Sequence, residues 1–287
     1  MYKLVSICLP VLNGGPFLEQ RMESIRVQEL EDWELIVCDS FSDDGSWEYL
    51  NKFKDDNRVR LFRVPREGVY SGWNECLRRV NGKYIHVATA DDTITPDFLS
   101  SLTAELEKRP GTDIAVSQFD FIDAEGSVLD PPPRRRLDEI YGDWLKVPHL
   151  RPRETEILIH LCLGGIPWMT AGAMIFRKSL LEKAGFFRTD LGPRADMMWS
   201  LKASLHSGTI SLPETMATFR QHAEQASSRH VPGWEKRNLE GKADILGECE
   251  EQIPADWRKH KNWRDRLLWK ARMDYQSGFN LSRRVMR

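Results

Sequence analysis

No C-x-x-C pair and no zinc-ligand spacing occurs in this chain, whose five cysteines, Cys8, Cys38, Cys76, Cys162 and Cys249, stand far apart and are odd in number. That excludes a disulfide framework or a zinc ribbon and fits a reduced, cytoplasmic setting. Charge of one sign is missing too: 41 Lys and Arg oppose 43 Asp and Glu, for a net charge of -2. No nucleic-acid partner is expected from that balance. Long apolar runs are absent as well, since the passage from Ile157 to Phe176 is interrupted by His160, Pro167 and three glycines. It reads as core, not as a membrane span. The opening MYKLVSICLPVLNGG lacks the charged region and small-residue cleavage site of a leader and reads as a first strand. Neither G-x-G-x-x-G nor a basic glycine-rich phosphate loop follows that strand, which argues against a dinucleotide-dependent oxidoreductase and a nucleotidyltransferase.

What is present is an alternation of element types. LVSICLP (Leu4 to Pro10), WELIVCD (Trp33 to Asp39), RVRLFRV (Arg58 to Val64) and KYIHVAT (Lys83 to Thr89) read as strands. Between them, Gly15 to Gln28, Ser46 to Lys54 and Tyr70 to Val80 carry helical spacing. Short apolar strands separated by helices predict an α/β fold with a mostly parallel sheet covered on both faces. Ligands of such sheets bind beyond the carboxyl ends of the strands. Three polar clusters fall there: Asn13, DSFSDDGS (Asp39 to Ser46) and TADDT (Thr89 to Thr93).

In the second cluster, Ser42 or Asp43 is expected to cap the next helix and Asp44 to complement its dipole. Asp39, at the strand's end, is set to accept a hydrogen bond from a ligand. In the third, Thr95 with Pro96 and Asp97 supplies a helix start, which leaves Asp91 and Asp92 without a capping task. Adjacent carboxylates repel unless a cation sits near them, and a hard divalent ion completed by phosphate oxygens is the usual remedy.

SICLPVLNGGPFLEQRMESIRVQELEDWELIVCDSFSDDGSWEYL, followed by GVYSGWNECLRRVNGKYIHVATADDTITPDFL, resembles the donor-binding half of a family 2 glycosyltransferase of the GT-A fold, a Rossmann-like nucleotide-diphospho-sugar transferase architecture. The resemblance is strong from Val5 to Leu102 and weaker to about Ser227. It implies an inverting transferase that takes a nucleotide-diphosphate sugar as donor, uses Mn²⁺ or Mg²⁺, and serves bacterial polysaccharide or glycan assembly. Asp39 matches the aspartate that holds the nucleotide base, and the loop from Pro10 and Val11 to Asn13 matches the backbone contacts to the nucleoside. Asp91 and Asp92 match the ribose- and metal-contacting pair, with Thr89 in place of the family's first carboxylate. Asp196, in GFFRTDLGPRADMMWSLKASLHSG, matches the catalytic base; Ala195 stands where many members have Glu, and Asp190 is the fallback base. His222 matches a residue that meets metal or diphosphate with Arg220 assisting, or else it is a satisfied surface or core histidine. Arg66 and Glu67 stand near a nucleotide contact. Trp168 and Met169 lie in the passage that lines the acceptor side, where Trp168 is a sugar platform or buried packing. A catalytically inactive sugar-nucleotide-binding homologue is the alternative that Thr89 and Ala195 keep open.

The resemblance divides the chain at about residue 230: residues 1–230 as the transferase domain, with a donor half 1–110 and an acceptor half 111–230, and residues 231–287 as a helical C-terminal extension. Pro254 to Arg287 is rich in Lys and Arg, with Trp257, Trp263, Trp269 and Tyr275 interleaved. A helix there places Trp263, Leu267 and Ala271 on one face. Two readings stand: peripheral contact with an anionic membrane that presents a lipid-linked glycan acceptor, or a helix packed on the domain with a solvated basic face.

Overall fold

The structure, a computed structural model, describes residues 3–130, 142–163, 170–192, 195–223, 225, 234–259 and 261. In chain order its main elements are β1 (Val5–Val11), α1 (Phe17–Arg26), β2 (Trp33–Asp39), α2 (Ser46–Leu50), β3 (Val59–Arg63), α3 (Val69–Leu77), β4 (Tyr84–Val87) and α4 (Phe98–Glu107). There follow β5 (Ile114–Ile122), β6 (His149–Arg151), α5 (Arg153–Leu163), β7 (Met174–Arg177), α6 (Lys178–Ala184), α7 (Ala195–Ser204), β8 (Thr209–Arg220) and α8 (Trp234–Glu248). The eight strands form one sheet in the order β3-β2-β1-β4-β7-β5-β8-β6.

β1 and β2 are buried at every position, as expected of central strands covered on both faces. Their side chains divide by parity. Ile7, Leu9, Leu35 and Val37 join α1 and α4 in one core, while Cys8, Ile36 and Cys38 join α3 and the helices of the second half in the other. β1 to β4 pair in parallel as the alternation predicts. The sheet as a whole is mixed, because β7 runs antiparallel to both β4 and β5, and β6 antiparallel to β8. From β1 the chain steps to β2 on one side and to β4 on the other, so the order reverses between β1 and β4. Asn13, Asp39 and Asp91 leave the sheet at this edge.

Pro10 sits in a central strand, where proline normally removes a ladder bond. β4 donates its last ladder bond from Ala88 N–H to the Cys8 carbonyl at 2.8 Å. The next bond would run from residue 10 to the Ala88 carbonyl; Trp73 Nε1–H of α3 donates to that carbonyl instead, at 2.8 Å. α3 lies close on β1 here: a Cβ on Gly72 would come within 2.7 Å of Pro10 Cβ.

α4 begins at Phe98, two residues later than the Thr95-Pro96 signal predicts, and its N-terminal Leu99 N–H is met by Gln28 Oε1 at 3.1 Å. The cap thus comes from Gln28, two residues beyond α1, and Thr95 Oγ1 bonds Asp97 instead. An amphipathic helix is what the spacing of Gly185 to Gly208 suggests for α7. It is buried on nearly every face, because α5, α6 and α8 all pack against it. Ile245, Leu246 and Cys249 at the end of α8, with Ile253 beyond it, join the same core as Phe187 and Trp199, and Trp257 packs partly against it. Trp263, Trp269 and Tyr275 lie outside the described residues, as do Leu267 and Ala271. No helix among the described residues is long and apolar enough to cross a membrane.

Candidate active site at the β1–β4 switch point

The loops after β1 and β2 are joined by side chains. Asn13 N–H donates to Ser42 Oγ at 2.9 Å, Gly14 N–H to Ser46 Oγ at 3.0 Å, and Gly15 N–H to Asp44 Oδ2 at 2.9 Å. Asn13 and Asp43 exchange two further bonds, Nδ2–H to Oδ1 at 2.9 Å and Asp43 N–H to Asn13 Oδ1 at 3.0 Å. Asn13 holds a left-handed φ of 53°, which its short side chain tolerates by bonding locally. Ser42 and Asp43 therefore bind the neighbouring loop and do not cap α2, which follows Gly45 with no capping side chain at that position. Only Asp44 stays near its expected task, accepting Ser46 N–H at 3.0 Å.

Asp39 is fully buried at the floor of this edge. Its Oδ2 accepts Ser42 N–H at 3.1 Å and faces Arg63 Nε at 3.4 Å. Its Oδ1 has no hydrogen-bond partner among the described residues. A buried carboxylate oxygen left unmet costs about 1–3 kcal/mol, so a donor arriving from a ligand gains an interaction the fold has left open. Arg63 is stacked between Phe41 and Trp47, with its guanidinium carbon 5.1 Å and 4.6 Å from the two ring centres. Phe41 is 52% exposed at a left-handed φ of 56°. Strain of this kind gathers at ligand clamps. Sequence reasoning missed Phe41 and Arg63, for nothing in their spacing marks them. Arg66 closes this side by donating to the Phe41 carbonyl at 2.9 Å. Glu67 is exposed before α3 and accepts Ser71 Oγ–H at 3.1 Å.

At the end of β4 the two adjacent carboxylates part company. Asp91, partly exposed, places Oδ2 3.0 Å from His222 Nε2, and the imidazole rests on Phe17 with ring centres 4.9 Å apart. Asp92 is buried and does have a task, contrary to expectation. It accepts Thr89 Oγ1–H at 2.7 Å and Arg220 N–H at 2.7 Å, tying the end of β4 to the end of β8. Burial first, and the Asp91 charge second, raise the Asp92 carboxyl to about 7.

Arg220, expected beside the donor, is itself buried, with every guanidinium nitrogen bonded inside the protein. Nε donates to the Asp91 carbonyl at 2.8 Å, Nη1 to the carbonyls of Asp123 and Ala124 at 3.0 and 2.9 Å, and Nη2 to Gln20 Oε1 at 2.6 Å. A second buried arginine, Arg21, contributes positive charge to Asp91 and Asp92. Burial lowers its guanidinium to about 10, and its Nη2 meets His86 Nε2 at 2.9 Å. His86 is pushed down to about 3 by burial and then by Arg21, so it stays neutral. Its Nδ1–H donates to the Met174 carbonyl at 3.0 Å, leaving Nε2 as acceptor. Part of the remedy for the paired carboxylates is thus internal.

Asp196 lies in the first turn of α7, half-buried, and its Oδ1 accepts Tyr70 O–H at 2.9 Å and Met197 N–H at 2.9 Å. Asp190, the fallback, is exposed and engaged by Arg188 Nη2 at 2.6 Å. Trp168 and Met169 lie outside the described residues. Among the described residues no group of three or more His, Cys, Asp or Glu side chains could hold a metal ion. Asp91 and His222 form a pair, one oxygen and one nitrogen donor. Where a diphosphate supplies further oxygens, that set fits Mn²⁺ better than Mg²⁺, which would be held through Asp91 and the diphosphate without the imidazole.

The description "Glycosyl transferase family 2" matches residues 6–185 of the chain. EpsJ of Bacillus subtilis (strain 168), an uncharacterized glycosyltransferase, is 26% identical over 225 residues, which cover 77% of this chain and 62% of EpsJ. The chain therefore spans less than two thirds of that relative. Among solved structures, S. aureus TarS 1-349 in complex with UDP has a TM-score of 0.68 at 15% identity, over 93% of this chain and 70% of that one. Mannosyltransferase PcManGT from Pyrobaculum calidifontis, in complex with GDP-Man and Mn²⁺, has a TM-score of 0.58 at 16% identity, over 99% of this chain and 85% of that one. At these identities the structures speak for the fold. With a family match that runs from β1 to the end of α6, this chain belongs to glycosyl transferase family 2 and is a glycosyltransferase.

Proposed function

We propose that this glycosyltransferase is inverting, that its donor is a nucleotide-diphosphate sugar carrying uracil, thymine or guanine, and that Asp196 is its general base. One observation carries the donor reading: the buried Oδ1 of Asp39, unpartnered among the described residues and walled by the joined loops of Asn13 and Ser42. An ionised carboxylate only accepts hydrogen bonds. It suits bases with an N–H at the ring position facing it, N3–H of uracil and thymine or N1–H of guanine. Cytosine and adenine present a lone pair at that position, which repels Asp39, and only a shifted pose would let their exocyclic amino group donate to it. UDP and GDP-Man, the ligands named for the two structures above, both carry such an N–H.

The backbone of Pro10 to Asn13 flanks the nucleoside, with Arg66 and Glu67 at the rim. Asp91 and His222 would hold the divalent ion, which supplies Lewis-acid neutralisation of the diphosphate when bound. Asp92 keeps Asp91 in place through its bonds to Thr89 and Arg220, and Arg220 acts from inside in the same way. Asp196 accepts the proton of the acceptor hydroxyl as oxygen attacks the anomeric carbon in line and the nucleoside diphosphate departs. No second carboxyl acid is needed, because the leaving group is an anion. The acceptor is a saccharide or lipid-linked glycan, in keeping with polysaccharide assembly. Contact of the basic segment after Pro254 with an anionic membrane would bring the enzyme to such lipids, whereas Ile253 and Trp257, packed on the core, favour a segment held on the domain.

The reading is tested by incubating the protein with α-linked UDP-, dTDP- and GDP-sugars, with Mn²⁺ or with EDTA, and following the freed or transferred sugar by proton NMR. A β-configured first product, formed with Mn²⁺ and suppressed by EDTA, is expected. An α-configured product, or no cleavage of any of these donors, contradicts it.

A further inference from the structure

Tyr70 has no place in the sequence reading except as a residue of a helical pattern, yet its hydroxyl reaches across 126 positions of chain to Asp196. We propose that Tyr70 is a positioning residue for the base, and that α3 is a rigid strut setting Asp196 relative to the end of β4, where Asp91 follows. This rests on the reading of Asp196 as the base.

Three residues within five positions of α3 make the strut. Tyr70 O–H donates to Asp196 Oδ1 at 2.9 Å. Trp73 Nε1–H donates to the Ala88 carbonyl at 2.8 Å, three residues before Asp91. Asn74 clamps Phe187 with both ends of its amide, Nδ2–H to the carbonyl at 2.8 Å and Oδ1 from N–H at 2.9 Å, fixing the chain that leads into α7. Below them Gly72 sits on Pro10 with no room for a Cβ. The helix can neither rise nor turn without breaking one of these contacts.

The Tyr70 ring is 7% exposed, edge-on to Trp73 at 5.5 Å and tilted against Phe187 at 5.9 Å, so the hydroxyl has little freedom to swing away. Burial, and then the Asp196 charge, hold the phenol far above its ordinary range. It therefore remains a donor at every pH at which an enzyme of this kind works. A donor fixed on a carboxylate limits its rotation and stabilises its ionised form, the form a general base needs. An ordinary core tyrosine would tolerate loss of its hydroxyl; a positioning tyrosine would not.

The test compares Tyr70→Phe, Asp196→Asn and the double variant, using the nucleotide sugar turned over in the NMR assay and the matching nucleoside diphosphate as binding probe. Tyr70→Phe is expected to lower kcat about 10- to 100-fold, the worth of a hydrogen bond to a charged group. Donor KM and nucleotide affinity should stay at wild-type values, while the melting temperature falls by no more than a few degrees, as the loss of one hydrogen bond to a half-buried carboxylate implies. In the Asp196→Asn background the same change should cost nothing further. Full kcat in Tyr70→Phe overturns the proposal. So does a fall in kcat accompanied by an equal fold-loss of nucleotide affinity, or two single effects that simply multiply. If Asp196→Asn itself keeps wild-type kcat, the base assignment fails first, and Tyr70 loses its role with it.

Discussion

Asp196→Asn is expected to lower kcat by about 10²- to 10⁴-fold, the range a positioned general base contributes, while nucleotide binding stays intact. The amide is nearly isosteric, and its oxygen can still accept Tyr70 O–H and Met197 N–H, so the local bonds survive. What disappears is the ability to take a proton. Steady-state kinetics with nucleotide titration separates the two effects. A kcat within about threefold of wild type would send the search for the base elsewhere, and Asp190 is a poor second choice because Arg188 already holds it at the surface.

The second large effect is on stability. Arg220→Met is expected to destabilise the protein by at least about 3 kcal/mol, because the change removes four hydrogen bonds of a buried, charged guanidinium, each worth about 1.5–3 kcal/mol where the acceptor is shielded and less at the exposed Ala124 and Gln20. Carbonyls of Asp91, Asp123 and Ala124 lose their donor, as does Gln20 Oε1. The guanidinium also leaves the face of Phe17, over which it sits at 4.8 Å. Methionine fills much of the volume, so the deficit is mainly in hydrogen bonds. At about 2–4 °C per kcal/mol for a chain somewhat smaller than this one, the melting temperature should fall by roughly 6–12 °C. Calorimetric melting checks it, and a fall under about 2 °C would mean that Arg220 is dispensable to the fold.

The alternation of strands and helices from Leu4 to Thr89 was legible because continuously buried strands leave continuous apolar runs. So was the convergence of Asn13, Asp39 and Asp91 on one edge, which follows from parallel pairing alone. The antiparallel β7 was not legible: four residues, MIFR, carry no mark of direction or of insertion between β4 and β5. Helix caps misled for a related reason. Ser42 and Asp43 have the residue types of a cap, but Asn13 and its neighbours compete for them from about 30 positions away. Asp92 looked idle because its partner amide, Arg220, lies 128 positions on. Phe41 occupies a backbone geometry that favours glycine, and only the folded φ discloses it. Local grammar thus located the site, while tertiary competition decided which side chains support it and which face a ligand.

The most direct measurement is calorimetric titration of the wild-type protein with UDP, dTDP, GDP, CDP and ADP in the presence of Mn²⁺. The unmet oxygen of Asp39 predicts that at least one of UDP, dTDP and GDP binds, and that CDP and ADP bind at least about tenfold more weakly than that ligand, the effect of one unsatisfied buried acceptor. CDP or ADP binding as tightly as the best of the other three would contradict the assignment of Asp39 to the base and, with it, the placement of the donor at the switch point.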